Sequence, residues 1–199
     1  MGKRKNEVSS AQRSSRRESL NADRGAGNLS AERQTEKFSA RDRGSRIAVY
    51  GLVGLLTGVL LGLVLKAVQQ FSGHEVYRLL LNADYVPVLK EFRLSEWTEF
   101  VIHLVISIVL CMVLGLIWER LARGGWLSRA KMTSATAVIG IVIGVLLYPT
   151  TLLSSGGTPP IDSLPSWLWW LAVHAVYGAV SGFLLYQALR AFLDRRSGY

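Results

Sequence analysis

Half of this 199-residue chain is hydrophobic, and its apolar residues come in long blocks almost free of charge, which excludes an ordinary water-soluble domain and places its core in lipid. The formal charge of +9 would suit a nucleic-acid binder only if the basic residues shared a folded surface with stacking aromatics. Twelve of the 23 Lys and Arg instead precede the first apolar block, among six acidic residues, so the expected partner is anionic lipid headgroups and not nucleic acid. A single cysteine, Cys111, excludes an intramolecular disulfide and any cysteine-based metal cluster.

Residues 1–46 hold eight serines and one aromatic, Phe38, and cannot bury enough apolar surface to offset chain entropy. They are expected to form a disordered, basic cytoplasmic tail. The passage Ser15-Arg16-Arg17-Glu18-Ser19-Leu20 faintly resembles a twin-arginine export signal, but the first apolar block begins only at Ile47. That distance, and the length of the block, also argue against a cleaved secretory signal.

Four charge-free stretches follow, at 47–65, 100–118, 135–153 and 167–189. At the helical rise each reaches about 28 Å or more, enough for the hydrocarbon core. Continuous apolar runs, unlike alternating ones, indicate helices, which satisfy every backbone group within their own segment. The expected fold is an all-α membrane protein, a four-transmembrane-helix bundle over 47–193 with spans at about 47–68, 98–120, 134–153 and 167–190, and a short tail at 194–199.

Nineteen of the 23 Lys and Arg fall in the N-terminal tail, the 119–134 connection and the last ten residues; only Lys66, Arg78, Lys90 and Arg93 lie on the other side. The positive-inside rule therefore predicts that both termini are cytoplasmic. Trp97, Trp118, Trp126, Trp167, Trp169 and Trp170 sit at expected span ends, where indoles anchor at headgroup level. In the first outer connection Val76, Leu79, Leu80 and Ala83 share one helical face, predicting a short helix on the outer leaflet that ends by Pro87. The second outer connection, Gly156 to Pro165, is rich in proline and glycine and reads as a rigid turn.

Inside the spans, small or polar residues recur every four positions. They are Gly54, Gly58 and Gly62; His103, Ser107, Cys111 and Gly115; Thr136, Gly140, Gly144 and Tyr148; and His174, Gly178 and Gly182. Each set forms one face on which a second backbone can approach closely, so these are the expected helix-packing faces. The first and third spans match around Gly54/Gly58 and Gly140/Gly144, and the second and fourth around His103 and His174. The match suggests a helical hairpin repeated in parallel about the membrane normal.

His103 and His174 are the ionisable groups well inside the spans, and polar side chains are costly there. Either they form a proton-responsive pair, or each is a neutral histidine bonded to Ser107, Tyr177 or a backbone carbonyl. A metal would need a third ligand, and Cys111 and Asp162 stand at no recognised spacing, so neither metal nor cofactor is expected. A membrane serine-protease reading fails because Ala179-Val180-Ser181-Gly182 lacks the first glycine of Gly-x-Ser-Gly, and His174 shares the serine's helix; no catalytic residue is expected. Asp162, the lone acid of its turn, is a candidate cap for the fourth helix or a partner for a charge of the first outer connection.

The glycine-rich first span, the segment from His103 to Ser107, the Thr158-Pro159-Pro160 turn with Asp162 and Leu164-Pro165, and His174 with Tyr177-Gly178 together resemble the YagU-like bacterial inner-membrane proteins. The resemblance covers roughly 47–193; the chain differs in its long basic tail, in Ser163 before Leu164-Pro165, and in a shorter first outer connection. It implies residence in the bacterial plasma (inner) membrane and carries no activity. The expected function is thus that of a non-enzymatic inner-membrane protein acting through packing and partner contacts, tied to envelope or acid stress by its paired histidines. The alternative is a small transporter or channel subunit with a path lined by His103 and His174. As four helices enclose little volume, it would assemble with copies of itself or with another membrane protein.

Overall fold

The computed structural model describes residues 42–83, 94–125, 128–154 and 157–197. Contacts divide the chain between Ser45 and Arg46. The expected disorder of the tail falls on residues outside those described, as do Pro87 and Trp126.

The protein is all-α, with no strand among the described residues, and has four helices long and apolar enough to cross a membrane. In chain order they are α1 (Asp42–Ser72), a short α2 (Val76–Leu81), α3 (Glu96–Arg123), α4 (Arg129–Leu147), a 3₁₀ turn (Tyr148–Leu153) and α5 (Leu164–Ser197). At 28 residues α3 is about 42 Å long, so it reaches beyond a hydrocarbon core of about 30 Å. Leu52, Leu56, Leu63, Val105, Val109, Val142 and Leu146 lie half or more exposed along the spans, the surface a bilayer would cover.

Local chemistry sets the helix limits. Ser95 caps α3, its hydroxyl accepting from the Thr98 amide at 3.3 Å. Gly125, at φ +82°, follows the end of α3 and adopts the left-handed backbone such an ending requires. The third apolar block does not remain α-helical to 153 as expected. Pro149 has no N–H to donate and crowds the preceding turn, so the chain tightens into the 3₁₀ turn from Tyr148. Asp162 does not cap α5; it is exposed, and Ser163 occupies the position before the helix, its hydroxyl 2.8 Å from that of Ser166.

The small-residue faces meet in two pairs. A Cβ on Gly54 would stand 2.5 Å from the Ser107 carbonyl oxygen, and Gly58 and Gly62 lie against Ser107 and Phe100, so α1 packs along α3. Gly140 and Gly144 lie against His174, while Gly178 and Gly182 lie against Thr136, so α4 packs along α5. In lipid, where no hydrophobic force drives helices together, this closeness lets dispersion and interhelical hydrogen bonds act.

Two apolar clusters fill the bundle. One, around Leu61, Leu65, Tyr148, Trp170 and Val173, includes Val76, Tyr77, Leu79 and Leu81 of α2. The short helix is thus not a surface amphipath. It packs into the bundle with Arg78 exposed, and the Gln69 side-chain oxygen accepts from the amides of Tyr77 and Arg78 at 3.0 and 3.1 Å. The other cluster, around Tyr50, Cys111, Leu114, Trp118, Met132 and Leu185, closes the opposite end. Trp118 and Trp170, expected at headgroup level, are buried instead.

Candidate functional site

Helical spacing brings the site together. On α3, Glu99, His103 and Ser107 follow at i and i+4, so they form one column. On α5, Trp170, His174 and Tyr177 do the same at i, i+4 and i+7. The two columns face a cavity of about 120 Å³ that also touches Leu61 of α1 and Ile143, Leu147 and Thr150 of the α4 segment. Residues Leu79 to Ala83, in α2 and just after it, cover the cavity at one end.

Hydrogen bonds fix where the protons sit. His174 Nδ1 lies 2.8 Å from the Trp170 carbonyl oxygen, which can only accept, so Nδ1 carries the proton and Nε2 is a bare acceptor. The His174 ring is held in place against the Trp170 indole, with centroids 4.2 Å apart, while the indole N–H donates to the Gly144 carbonyl at 2.9 Å. His103 Nε2 is buried without a partner, and its ring interacts with the Gly58 carbonyl, which assigns that proton to Nδ1 as well. Both histidines line the one cavity, and in each the Nε2 is left as an acceptor.

Below them the hydroxyls are already engaged. Ser107 donates to the Gly54 carbonyl at 2.7 Å, and Tyr177, 2.9 Å away, donates to Ser107. Cys111 Sγ lies 3.9 Å from the Tyr177 hydroxyl and 4.0 Å from that of Thr57. This buried chain of polar groups ties α1, α3 and α5 together and makes the floor of the cavity. Beyond it come the second apolar cluster and, at the far end, a buried ion pair between Arg46 and Glu119, with the Tyr50 hydroxyl 3.4 Å from Glu119.

At the α2 end the cavity adjoins a second, polar hollow of about 430 Å³. The two share Leu81, Asn82 and Glu99, and the hollow adds Lys66, Gln69, Gln70, Arg78 and Glu96. Lys66 pairs with Glu96 at 2.8 Å and stands 5.0 Å over the Tyr77 ring, whose hydroxyl donates to Glu96 at 3.2 Å. Burial raises the Tyr77 phenol above its ordinary value of 10.0.

Of the residues singled out from the sequence, His103, His174, Ser107 and Tyr177 come together, whereas Asp162 stands apart. Among the described residues no three of His, Cys, Asp and Glu are placed to hold a metal ion. Trp170, Glu99, Asn82 and the α2 leucines were missed. The first two were detectable, one turn before each histidine on the same face; the contribution of α2 was not.

Comparison with protein-family models, with curated proteins and with solved structures finds no match for this chain.

Proposed function

We propose that this protein is a small-ligand-binding membrane protein of the transporter or receptor kind, with the histidine-lined cavity as its site. One observation carries this reading. Two histidines on different helices line one cavity that adjoins a polar hollow, and His103 Nε2 is buried there without a partner, although leaving such a group unmet in an apolar interior costs about 1–3 kcal/mol. Packing alone gives no reason to keep that arrangement, and an intramembrane polar cluster is a functional hypothesis by default.

The cavity ends at the Ser107–Tyr177 floor, which favours binding with alternating access over an open channel. The Ser107 and Tyr177 hydroxyls are bonded to Gly54 and to each other and to neither histidine, which supports a non-enzymatic reading. The charge distribution supports cytoplasmic termini and a polar hollow on the outer face. The likeness to YagU-like proteins supports the bacterial inner membrane, with the basic tail against anionic lipid and further copies of the chain as the assembly partner.

The test is labelling with a membrane-impermeant, water-soluble thiol reagent in whole cells. In a Cys111→Ser background, His103→Cys should react from outside, and a small cavity ligand should protect it. Val109→Cys, on the lipid-facing side of α3, should not react. An unreactive thiol at position 103 in a protein of normal thermal stability would overturn the reading.

A further inference from the structure

The reading of the cavity as a binding site leaves open what it binds, and three features of its walls restrict the answer. The first is hydrogen-bond polarity. Both histidines offer Nε2 acceptors, whereas the hydroxyl protons of Ser107 and Tyr177 are committed to Gly54 and to Ser107. The ligand must bring the donor, and the deep site has no acidic side chain to balance a cation, because Glu99 lies where the cavity meets the polar hollow. A neutral hydroxyl meets both conditions; an ammonium or a bare carbonyl does not.

The second feature is size and surface. A cavity of about 120 Å³ with walls of Leu61, Ile102, Ile106 and Trp170 is close to the roughly 150 Å³ that accommodates benzene in a dry protein interior. One six-membered ring fits among these side chains.

The third is access. α4 packs along α5, and α3 meets α2 and α5, but α3 and α4 do not close on each other. The cavity reaches into this gap, with Ile106 on one side and Ile143 and Leu147 on the other. Ile106, on the cavity wall, is 49% exposed, so the cleft opens at the outer surface of the bundle. His103 lies seven residues inside α3, about 10 Å along its axis, within the apolar stretch.

We infer that the cavity binds an uncharged, membrane-soluble phenol-class amphipath, which enters between α3 and α4 and donates its one hydroxyl proton to the unpartnered Nε2 of His103, in the cavity that His174 also lines. The ring lies against Trp170, and any apolar tail extends through the cleft into the bilayer.

The experiment uses the full chain in lipid nanodiscs, with 4-bromophenol as probe and its methyl ether, 4-bromoanisole, as the analogue lacking the donor. Bromine quenches nearby tryptophan emission, so occupancy beside Trp170 is read as the saturable quenching that a Trp170→Phe variant, which keeps the other five tryptophans, loses, with empty nanodiscs as the blank for partitioning. The phenol should quench saturably and bind at least about ten-fold more tightly than the ether, because only the phenol brings a proton for the unpartnered His103 nitrogen. His103→Leu with His174→Leu should erase the difference. Filling the cleft with Ile106→Phe and Ile143→Phe should slow phenol binding about ten-fold, yet leave reaction of the thiol at position 103 with the water-soluble reagent unchanged. Equal binding of phenol and ether to the unaltered protein would overturn the inference without reliance on any variant, as would unchanged phenol binding rates in a folded cleft-filled variant. If the position-103 thiol reacts while the phenol shows no preference, this inference falls and the binding reading stands; if the thiol is also inert, both fall.

Discussion

The Tyr177 hydroxyl on α5 donates to the Ser107 hydroxyl on α3 across 2.9 Å, and Ser107 passes the polarity on to the Gly54 carbonyl of α1 at 2.7 Å. Three helices that belong to two different close-packed pairs are joined by this one chain. Its direction makes its two ends unequal. Tyr177→Phe removes a donor and leaves Ser107 bonded to Gly54, which should cost about 1 kcal/mol. Ser107→Ala leaves the buried Tyr177 proton only the weak Cys111 sulfur acceptor, 3.9 Å away, and should cost about 2 kcal/mol. Equilibrium unfolding of the purified variants in mixed micelles checks the order; the reverse order would mean the proton runs the other way.

The glycine contacts predict a sharp difference between positions. Gly140→Leu and Gly178→Leu must displace backbone of the facing helix, since added atoms would overlap the His174 and Thr136 carbonyls. Each should cost about 3 kcal/mol or more and separate α4 from α5. Gly44→Ala meets nothing within 4 Å and should be neutral or stabilising by up to about 1 kcal/mol. Thermal unfolding followed by circular dichroism distinguishes the two outcomes.

Arg46 and Glu119, with side chains 11% and 10% exposed, form a buried pair between α1 and α3. Arg46→Met alone removes the cation beside the buried carboxylate and should destabilise the protein by about 3 kcal/mol, whereas Arg46→Met with Glu119→Leu should recover most of that loss, because the apolar replacements no longer need desolvated charges. A double variant no better than the single one would show that Glu119 acts mainly through other contacts.

Tyr77 supplies a pH dependence whose sign follows from its environment. Burial raises its folded pKa above 10.0, so the neutral phenol stabilises the folded state fully below that value, and the contribution is lost as pH rises through the folded pKa. Stability measured from pH 8 to above 10 should decline, and Tyr77→Phe should remove part of that decline.

Much of the architecture was legible without coordinates. The four apolar blocks dictated the four long helices, because a backbone in lipid has no other way to satisfy its polar groups within one crossing. The four-residue spacing of small residues also marked the faces on which Gly54 meets Ser107 and Gly140 meets His174, and it placed His103 and His174 one turn from Ser107 and Gly178. Where sequence reasoning failed, a residue's character was read without its neighbours. Trp170 looked like an interfacial anchor, α2 like a surface helix and Asp162 like a cap, because amphipathic groups suit an interface as well as a polar niche in the core.

By itself the sequence determined that this is an all-α membrane protein with four spans, since hydrophobic length and backbone hydrogen bonding are local properties of each segment. Only the tertiary structure decided that α1 pairs with α3 and α4 with α5, that α2 folds over one end, and that two histidines line one cavity, one of them with a nitrogen left unpartnered. Those outcomes depend on which carbonyl lies within reach of which ring and which pair of helices stays apart. Such distances between segments far apart in the chain are set by packing and not by the composition of any one segment.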